Sequence, residues 1–211
     1  LTSKLCRHSD ALKPFKEISA NGDEICFCTI GDASTSEGHF WETINAAGVL
    51  QVPLAVFVWD DGYGISVPKK YQTTKGSISA ALKGFKKKED TNGIDIYTVK
   101  GWNYAELCEV FEAAIQKIRD THIPAVFHVE EITQPQGHST SGSHERYKSP
   151  ERLDWEKDMD CIKKMREWII ENDIATDAEL GELEHRAKDR VKESKNNAWK
   201  EYTEPIKSQA S

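Results

Sequence analysis

The sequence of 211 residues predicts an α/β fold, a doubly wound parallel sheet with C-terminal helices. Three observations lead to this prediction. Four short runs of β-branched and aromatic residues alternate with segments of helical periodicity, which is the pattern of βαβ units. The runs are almost continuously apolar, as strands covered on both faces of a parallel sheet are. From residue 153 onward, apolar residues recur with helical spacing.

The strands are predicted where β-formers cluster between turn residues and helical segments. They cover residues 24–30, 53–59, 94–99 and 124–130. A first helix is predicted over residues 9–18, because the pair Asn21-Gly22 is a common helix stop. A long polar loop follows the second strand, and a short helix is expected after it, near residues 78–82.

Three patterns mark predicted helix starts. Ser34 and Glu37 match a capping box, in which each side chain bonds the backbone N–H of the other residue. Asn103 can accept a hydrogen bond from the first turn of a helix between the third and fourth strands. Thr176 and Glu179 form a second capping box, which predicts another helix near the end of the chain.

Composition excludes several classes of protein. The net charge of −7 argues against a general nucleic-acid binder, which needs a basic face. We expect no membrane span, because no run of 18 apolar residues occurs. The five cysteines are an odd number without the spacing of a disulfide framework, which indicates a reducing compartment. Cys26 and Cys28 alternate on the first strand, and we expect both to be small core residues.

The domain organisation is predicted to be simple. We expect one α/β domain that binds a diphosphate and Mg²⁺ over residues 1–150, and a helical extension of the same domain over residues 151–211. The sequence opens at Leu1 rather than at a methionine, and we therefore expect a fragment of a longer protein.

Acidic motifs follow the first two predicted strands. Residues 30–38 read IGDASTSEG, and residues 59–66 read WDDGYGIS. Because the carboxyl ends of parallel strands open on one edge of a sheet, Asp32 and Asp61 are expected to lie close together there. Carboxylates and a backbone carbonyl near Tyr63 would suit Mg²⁺, whose remaining ligands are phosphate and water.

The first motif also favours an anion. It leads into a helix, whose free N–H groups and dipole attract negative charge, and its small residues allow close approach. The alternative is that Asp32 is only a helix cap and that residues 60–62 are only a turn. Neither a P-loop motif nor a dinucleotide-binding glycine motif occurs at a strand end.

These motifs resemble those of thiamine diphosphate enzymes. In that family a motif begins with Gly-Asp-Gly and ends with Asn-Asn, and here residues 31–33 and 60–61 stand at a matching separation. The stretch 30–66 resembles the α-type part of the E1 component of 2-oxo acid dehydrogenase complexes. His138-Ser139-Thr140-Ser141 with Tyr147-Lys148 looks like a later loop of that family. E1 proteins with fused α and β parts, such as 2-oxoisovalerate dehydrogenase, are particularly similar.

The resemblance implies a thiamine diphosphate-binding fold and a set of site residues. Asp32, Asp61 and the carbonyl of Tyr63 would hold Mg²⁺, and His138 would be catalytic. The residues implied to bind the cofactor are Gly31, Asp32, Ala33, Ser34, Asp61, Tyr63, Gly64, Ile65 and His138.

The chain departs from the family pattern at several positions. Ala33 replaces the second glycine, and Asp60-Asp61 replaces Asn-Asn, which adds negative charge near a diphosphate. Gly142 stands where an aspartate is common, and Lys148 where an arginine is common. Ser139 and Ser141, in the same loop, match positions that are phosphorylated in some family members.

The resemblance also implies an activity and partners. The expected reaction is decarboxylation of a 2-oxo acid, a branched-chain one first and pyruvate next, with transfer of the acyl group to lipoylated E2. A β-type E1 part would supply the pyrimidine-binding domain, in a dimer or an α2β2-like assembly. The expected location is the bacterial cytoplasm, or the mitochondrial matrix in a eukaryote. Two alternatives remain open: a transketolase-like half, and a non-catalytic domain for Mg²⁺ and phosphate binding or for assembly.

Overall fold

A computed structural model describes residues 1–138 and 143–209 of the chain. It confirms the α/β fold. The strands are β1 (Cys26–Gly31), β2 (Leu54–Trp59), β3 (Tyr63–Gly64), β4 (Val67–Pro68), β5 (Asp95–Lys100) and β6 (Ala125–Glu130). The α-helices are α1 (Thr2–His8), α2 (Gly38–Leu50), α3 (Ile78–Ala81), α4 (Tyr104–Thr121), α5 (Pro150–Asp158), α6 (Cys161–Glu171) and α7 (Asp177–Gln209).

The main sheet has four parallel strands in the order β1-β2-β6-β5. Each predicted strand is present, with ends that differ by at most two residues. The strands β3 and β4 form a separate antiparallel pair inside the loop that was predicted only as irregular. All four carboxyl ends of the main sheet open on the same edge, where the two acidic motifs were expected.

Helices cover both faces of the sheet, so it is doubly wound. On one face, Phe40 and Ile44 of α2 and Ile78 of α3 pack against Val56 and Val58 of β2. On the other face, residues of α4 pack against a different set of strand side chains, which includes Phe57, Ala125 and Phe127. The alternation of side chains along β2 therefore divides the core into two layers.

The predicted helix over residues 9–18 is wrong. The helix lies earlier, at α1, and residues 10–14 and 16–18 form turns. Pro14 accounts for the difference, because a proline in a helix interior removes a hydrogen bond and clashes with the preceding turn. The predicted stop is a real turn, since Asn21 and Gly22 both have positive φ.

The predicted capping box of Ser34 and Glu37 is also wrong. Residues Ala33–Ser36 form a 3-10 turn, and Glu37 is the N-cap of α2 without a side-chain capping bond. The N–H of Glu37 donates to the backbone carbonyl of Ser34 at 3.2 Å rather than to its hydroxyl, and the hydroxyl of Thr35 donates to the Asp32 carbonyl at 2.6 Å. The caps at Asn103 and at Thr176 are confirmed by bonds from the backbone N–H groups three residues on.

The two strand cysteines differ in burial. Cys28 packs against the core layer formed with α2, as expected. Cys26 is exposed, which contradicts the expectation that it is a core residue. It begins β1, the strand at the edge of the sheet, where Phe27 is also 56% exposed. Within residues 1–138 and 143–209, no helix is both long and apolar enough to cross a bilayer.

The C-terminal helices are divided where the sequence pattern was continuous. Residues 159–160 separate α5 from α6. By its internal contacts the chain forms two compact units, Leu1–Lys164 and Met165–Ser211. In the second unit, Arg166 pairs with Asp177 and Glu184. The predicted division at residue 150 stays a prediction.

The packing of α2 can be tested by removing one buried side chain. Ile44 is 2% exposed in the core, and Ile44→Ala is expected to lower the free energy of unfolding by about 2–5 kcal/mol because it leaves a cavity. Val49 lies on the same helix but is 58% exposed, and Val49→Ala is expected to change that free energy by less than about 0.5 kcal/mol. Urea unfolding of both variants checks the difference, and equal effects would contradict this packing.

Candidate active site

The two acidic motifs meet at the carboxyl ends of β1 and β2. We call residues 30–38 the first corner and residues 59–66 the second corner. These strands are neighbours, and Gly31 is paired with Trp59 in the last position of the ladder. Directly beyond it, the N–H of Asp32 donates to the carbonyl of Trp59 at 3.2 Å. The parallel pairing of β1 and β2 therefore brings Asp32 next to the Asp60-Asp61 corner, although the two are far apart in the sequence.

A cavity of about 590 Å³ opens at this edge. All nine residues that the resemblance assigned to the cofactor line its wall. The other lining residues are Ser36, Glu37, Trp59, Gln72, Ile132 and Gln134. The structure thus brings the predicted site residues together around one space, while their individual roles stay predictions.

Asp32 is buried with an unfilled bonding capacity. Its side chain is 3% exposed, and its Oδ2 atom has no hydrogen-bond partner among the described residues. Burial, followed by the charges of Asp60 and Asp61, raises the pKa of Asp32 to about 7. An isolated buried carboxylate is costly, and a cation beside it would remove that cost. The orphaned oxygen therefore fits the metal-binding role that was predicted for Asp32.

Asp61 occupies a comparable position on the second corner. Its Oδ1 accepts from the N–H of Tyr63 at 3.0 Å, which fixes the turn that carries the predicted carbonyl ligand. Burial raises the pKa of Asp61, and the Tyr63 bond and the nearby charge of Lys148 offset only part of that effect. A second carboxylate whose charge is disfavoured lies at the same cavity, which also fits a cation site.

Gly64 explains how closely the corners approach. A Cβ atom at this position would lie 2.9 Å from the Cβ of Ala33 and 2.5 Å from the side chain of Gln72. A residue larger than glycine would push the second corner away from the first. The methyl group of Ala33 fits here because its neighbour has no side chain. The adjacent Ile65 has a φ of 58°, so the backbone turns sharply at this point.

Asp60 has a different role from Asp61. It is 1% exposed and does not line the large cavity. Its carboxylate pairs with Lys69 and accepts from His128 Nε2 at 2.7 Å, and its Oδ1 accepts from Gly62 N–H at 2.9 Å. Burial acts to raise the pKa of Asp60, but the bonds from His128 and Lys69 outweigh it and the pKa is lowered. Asp60 therefore fixes the second corner in place through these contacts, and we call it the anchor.

The anchor explains one departure from the family pattern. His128 is fully buried on β6, and its Nδ1 accepts from the N–H of Ser79 at 3.4 Å, so that Nε2–H donates to Asp60. Lys69 supplies a full positive charge on the other side. The charge that Asp60 adds is thus compensated locally. The sequence predicted His128 to be structural, in agreement with its burial, but sequence reasoning missed Lys69, which belongs to no local motif.

His138 lies at the cavity from a separate loop. It is exposed, and the hydroxyl of Tyr147 is hydrogen-bonded to its backbone. The structure places it beside the same cavity as Asp32 and Asp61. The predictions for Ser139 and Ser141 and the departure at Gly142 fall outside the described residues.

Comparison with known proteins identifies the family. The family model of the dehydrogenase E1 component matches residues 11–207. The chain belongs to this family. Membership of the dehydrogenase E1 component family implies thiamine diphosphate as the cofactor.

Curated relatives agree with the family at low identity. The chain is 27% identical over 180 residues to the pyruvate dehydrogenase E1 component subunit alpha of Rickettsia bellii, which covers 85% of this chain and 52% of the relative. It is 25% identical over 183 residues to the mitochondrial pyruvate dehydrogenase E1 component subunit alpha of Dictyostelium discoideum. That match covers 82% of this chain and 44% of the relative. The chain thus spans about half the length of the relatives that it matches.

Removal of the anchor should destabilise the fold. Asp60→Ala leaves Lys69 and the buried His128 without their acceptor, and we expect a loss of about 3–5 kcal/mol in the free energy of unfolding. Asp10→Ala is the control, because its pair with Lys13 is exposed to solvent and should contribute much less to the free energy of unfolding. Chemical denaturation measures both, and a loss at Asp60 no larger than at Asp10 would show that the anchor has no structural role.

Proposed function

We propose that this chain is the diphosphate-binding part of a 2-oxo acid dehydrogenase E1. The observation that carries the proposal is that two carboxylates, the buried Asp32 and the half-buried Asp61, line one cavity of an E1-family fold. The unpartnered Oδ2 of Asp32 is the strongest single sign of a cation there. In this proposal Asp32, Asp61 and the carbonyl of Tyr63 hold Mg²⁺, which in turn binds the diphosphate.

The first corner would bind the diphosphate itself. The backbone of Gly31, Ala33 and Ser34 lines the cavity at the start of the 3-10 turn that leads to α2. Small residues let phosphate oxygens approach the main chain, and N–H groups at a helical start favour an anion. Gly64 and Ile65 of the second corner also line the cavity. We expect the remainder of the cofactor to lie beside them.

Thiamine diphosphate supplies the carbanion chemistry that decarboxylates a 2-oxo acid. The chain's contribution is to hold that group in one orientation and to place a proton-exchanging side chain beside it. His138 lies at the cavity and can donate or accept a proton or stabilise charge there. Anchoring of its backbone by Tyr147 limits where the imidazole can reach.

The substrate is proposed to be a 2-oxo acid with a small or branched side chain. The sequence of the loop at residues 138–141 favoured a branched-chain 2-oxo acid as the substrate, with pyruvate next. The names of the relatives support pyruvate, because they are pyruvate dehydrogenase subunits. Turnover of pyruvate compared with 3-methyl-2-oxobutanoate by the assembled enzyme separates the two.

The site is proposed to need a second polypeptide part. We infer that a β-type E1 part supplies the pyrimidine-binding domain, and that lipoylated E2 receives the acyl group, in a dimer or an α2β2-like assembly. The corresponding location is the cytoplasm of a bacterium or the mitochondrial matrix. Support comes from the relatives, whose names are those of alpha subunits of an E1 component.

Loss of either predicted carboxylate ligand should weaken cofactor binding. Asp32→Ala or Asp61→Ala is expected to reduce Mg²⁺-dependent binding of thiamine diphosphate by about 2–4 kcal/mol, because a charged partner of the cation is removed. The matched control is Asp90→Ala, an exposed aspartate of a loop away from the cavity. Calorimetry measures all three variants, and unchanged binding in Asp32→Ala would rule out the cation site.

Loss of His138 should affect turnover more than binding. In the enzyme assembled with its β-type part, His138→Ala is expected to lower kcat by about 10²–10⁴-fold, the span for a positioned acid–base group. The fold should be retained, because His138 is exposed. His185→Ala is the control, since His185 is an exposed residue of α7. Near-normal kcat in His138→Ala would remove His138 from the catalytic machinery.

A further inference from the structure

An ion-pair cluster lies against the second corner, outside the large cavity. It consists of Lys148, Arg152 and Glu156, which we call the corner clamp. Glu156 is 2% exposed, and both of its oxygens are used: Oε2 accepts from Lys148 at 2.8 Å, and Oε1 accepts from Arg152 Nε at 2.8 Å. A buried carboxylate with two cations leaves one net positive charge at this place.

Arg152 connects the clamp to the predicted cation ligands. Its Nη2 donates to the carbonyl of Asp61 at 2.8 Å, while its Nε is held by Glu156. The guanidinium also lies over the ring of Tyr63, 5.6 Å from its centroid, and over Trp155 at 4.5 Å. Arg152 therefore contacts both residues of the second corner that are proposed to bind Mg²⁺, through the Asp61 carbonyl and the Tyr63 ring rather than through the proposed ligand atoms.

Lys148 connects the clamp to the loop of His138. Its ammonium group lies 5.0 Å from the ring centroid of Tyr63 and 6.0 Å from that of Tyr147. Tyr147 packs on Tyr63 with ring centroids 5.7 Å apart and is hydrogen-bonded to the backbone of His138. The corner that holds Asp61 and the loop that holds His138 thus share one buried support.

We propose that Arg152 is a positioning residue for the cation site, and that Glu156 fixes Arg152 in the orientation that holds the Asp61–Tyr63 turn. This inference rests on the proposed function, because it concerns the Mg²⁺ site of that function. Asp61 and Tyr63 supply a carboxylate and a carbonyl from one short turn, and octahedral Mg²⁺ tolerates little error in their placement. The guanidinium group of Arg152 holds this turn by donating a hydrogen bond to the Asp61 carbonyl.

The fork geometry separates positioning from simple charge. A guanidinium has donors pointing in several fixed directions, so one Arg152 serves Asp61 and Glu156 together. A lysine keeps the charge but has one ammonium group, which cannot span both acceptors in the same way. If charge alone mattered, Arg152→Lys would retain cation affinity, whereas a positioning role predicts that it does not.

The test uses Mn²⁺ as a spectroscopic substitute for Mg²⁺, with thiamine diphosphate. Arg152→Met, Arg152→Lys and Glu156→Gln are compared with the unsubstituted chain. Lys157→Met is the matched control, because Lys157 lies on the same helix and its pair with Asp154 is exposed. Mn²⁺ affinity, the paramagnetic resonance spectrum of the bound ion and the thermal midpoint are measured for each protein.

We expect each of the three clamp variants to weaken Mn²⁺ binding by about 10-fold to 100-fold, the scale of a lost hydrogen bond to a charged group. The spectrum of the bound ion should change, which a loss of stability alone would not cause. Lys157→Met should leave both unchanged. If Arg152→Met fails to fold, Arg152→Lys carries the test by the same criteria.

Two failures are distinguishable. All proteins are assembled with the β-type part; if the unsubstituted chain in that assembly binds no Mn²⁺ with thiamine diphosphate, the proposed function is contradicted. If it binds, but Arg152→Lys and Glu156→Gln show the affinity and spectrum of the unsubstituted chain, only the positioning role is overturned.

Discussion

Three carboxylates converge at one edge of the sheet, and the structure around that edge is organised by their charge. Asp32 and Asp60 are buried and Asp61 is half-buried; the charges of Asp60 and Asp61 disfavour ionisation of Asp32, and the charge of Asp60 disfavours that of Asp61. The parallel pairing of β1 with β2 imposes this arrangement, because both acidic motifs follow the last residues of the ladder. The surrounding residues must therefore supply positive charge or leave space for a bound cation.

The protein meets that requirement in two ways. Asp60 receives its compensation from within the chain, through Lys69 and His128. Asp32 has no such partner among the described residues, and its free oxygen is buried beside the cavity. Two neighbouring aspartates of one motif thus have opposite roles, since Asp60 is a closed structural anchor while Asp61 lies at the open site. This division allows a motif with Asp-Asp in place of Asn-Asn without two uncompensated charges.

The same edge is supported from the C-terminal side. The clamp of Lys148, Arg152 and Glu156 comes after the loop of His138 in the chain, and it contacts the second corner through the Asp61 carbonyl and the Tyr63 ring. A site made of separate loops needs such a support, because loops have few buried contacts of their own. The side chains that shape the cavity are thereby held by others that do not line it.

Local patterns in the sequence were enough to predict the four strands and the helices that follow the caps Asn103 and Thr176, and the family resemblance named nine of the residues that line the cavity. Strand periodicity and capping depend on neighbouring residues, and the acidic motifs follow strands whose order in a parallel sheet implies a shared edge. The local patterns misled where one residue or a competing bond intervened, at Pro14 in the first predicted helix and at Glu37, whose N–H bonds the Ser34 carbonyl in the 3-10 turn. Contacts between distant segments decided the rest. The separate roles of Asp60 and Asp61, the buried His128 and the Arg152 bond to Asp61 each join residues from different elements, and no local spacing encodes which of them will meet in the folded chain.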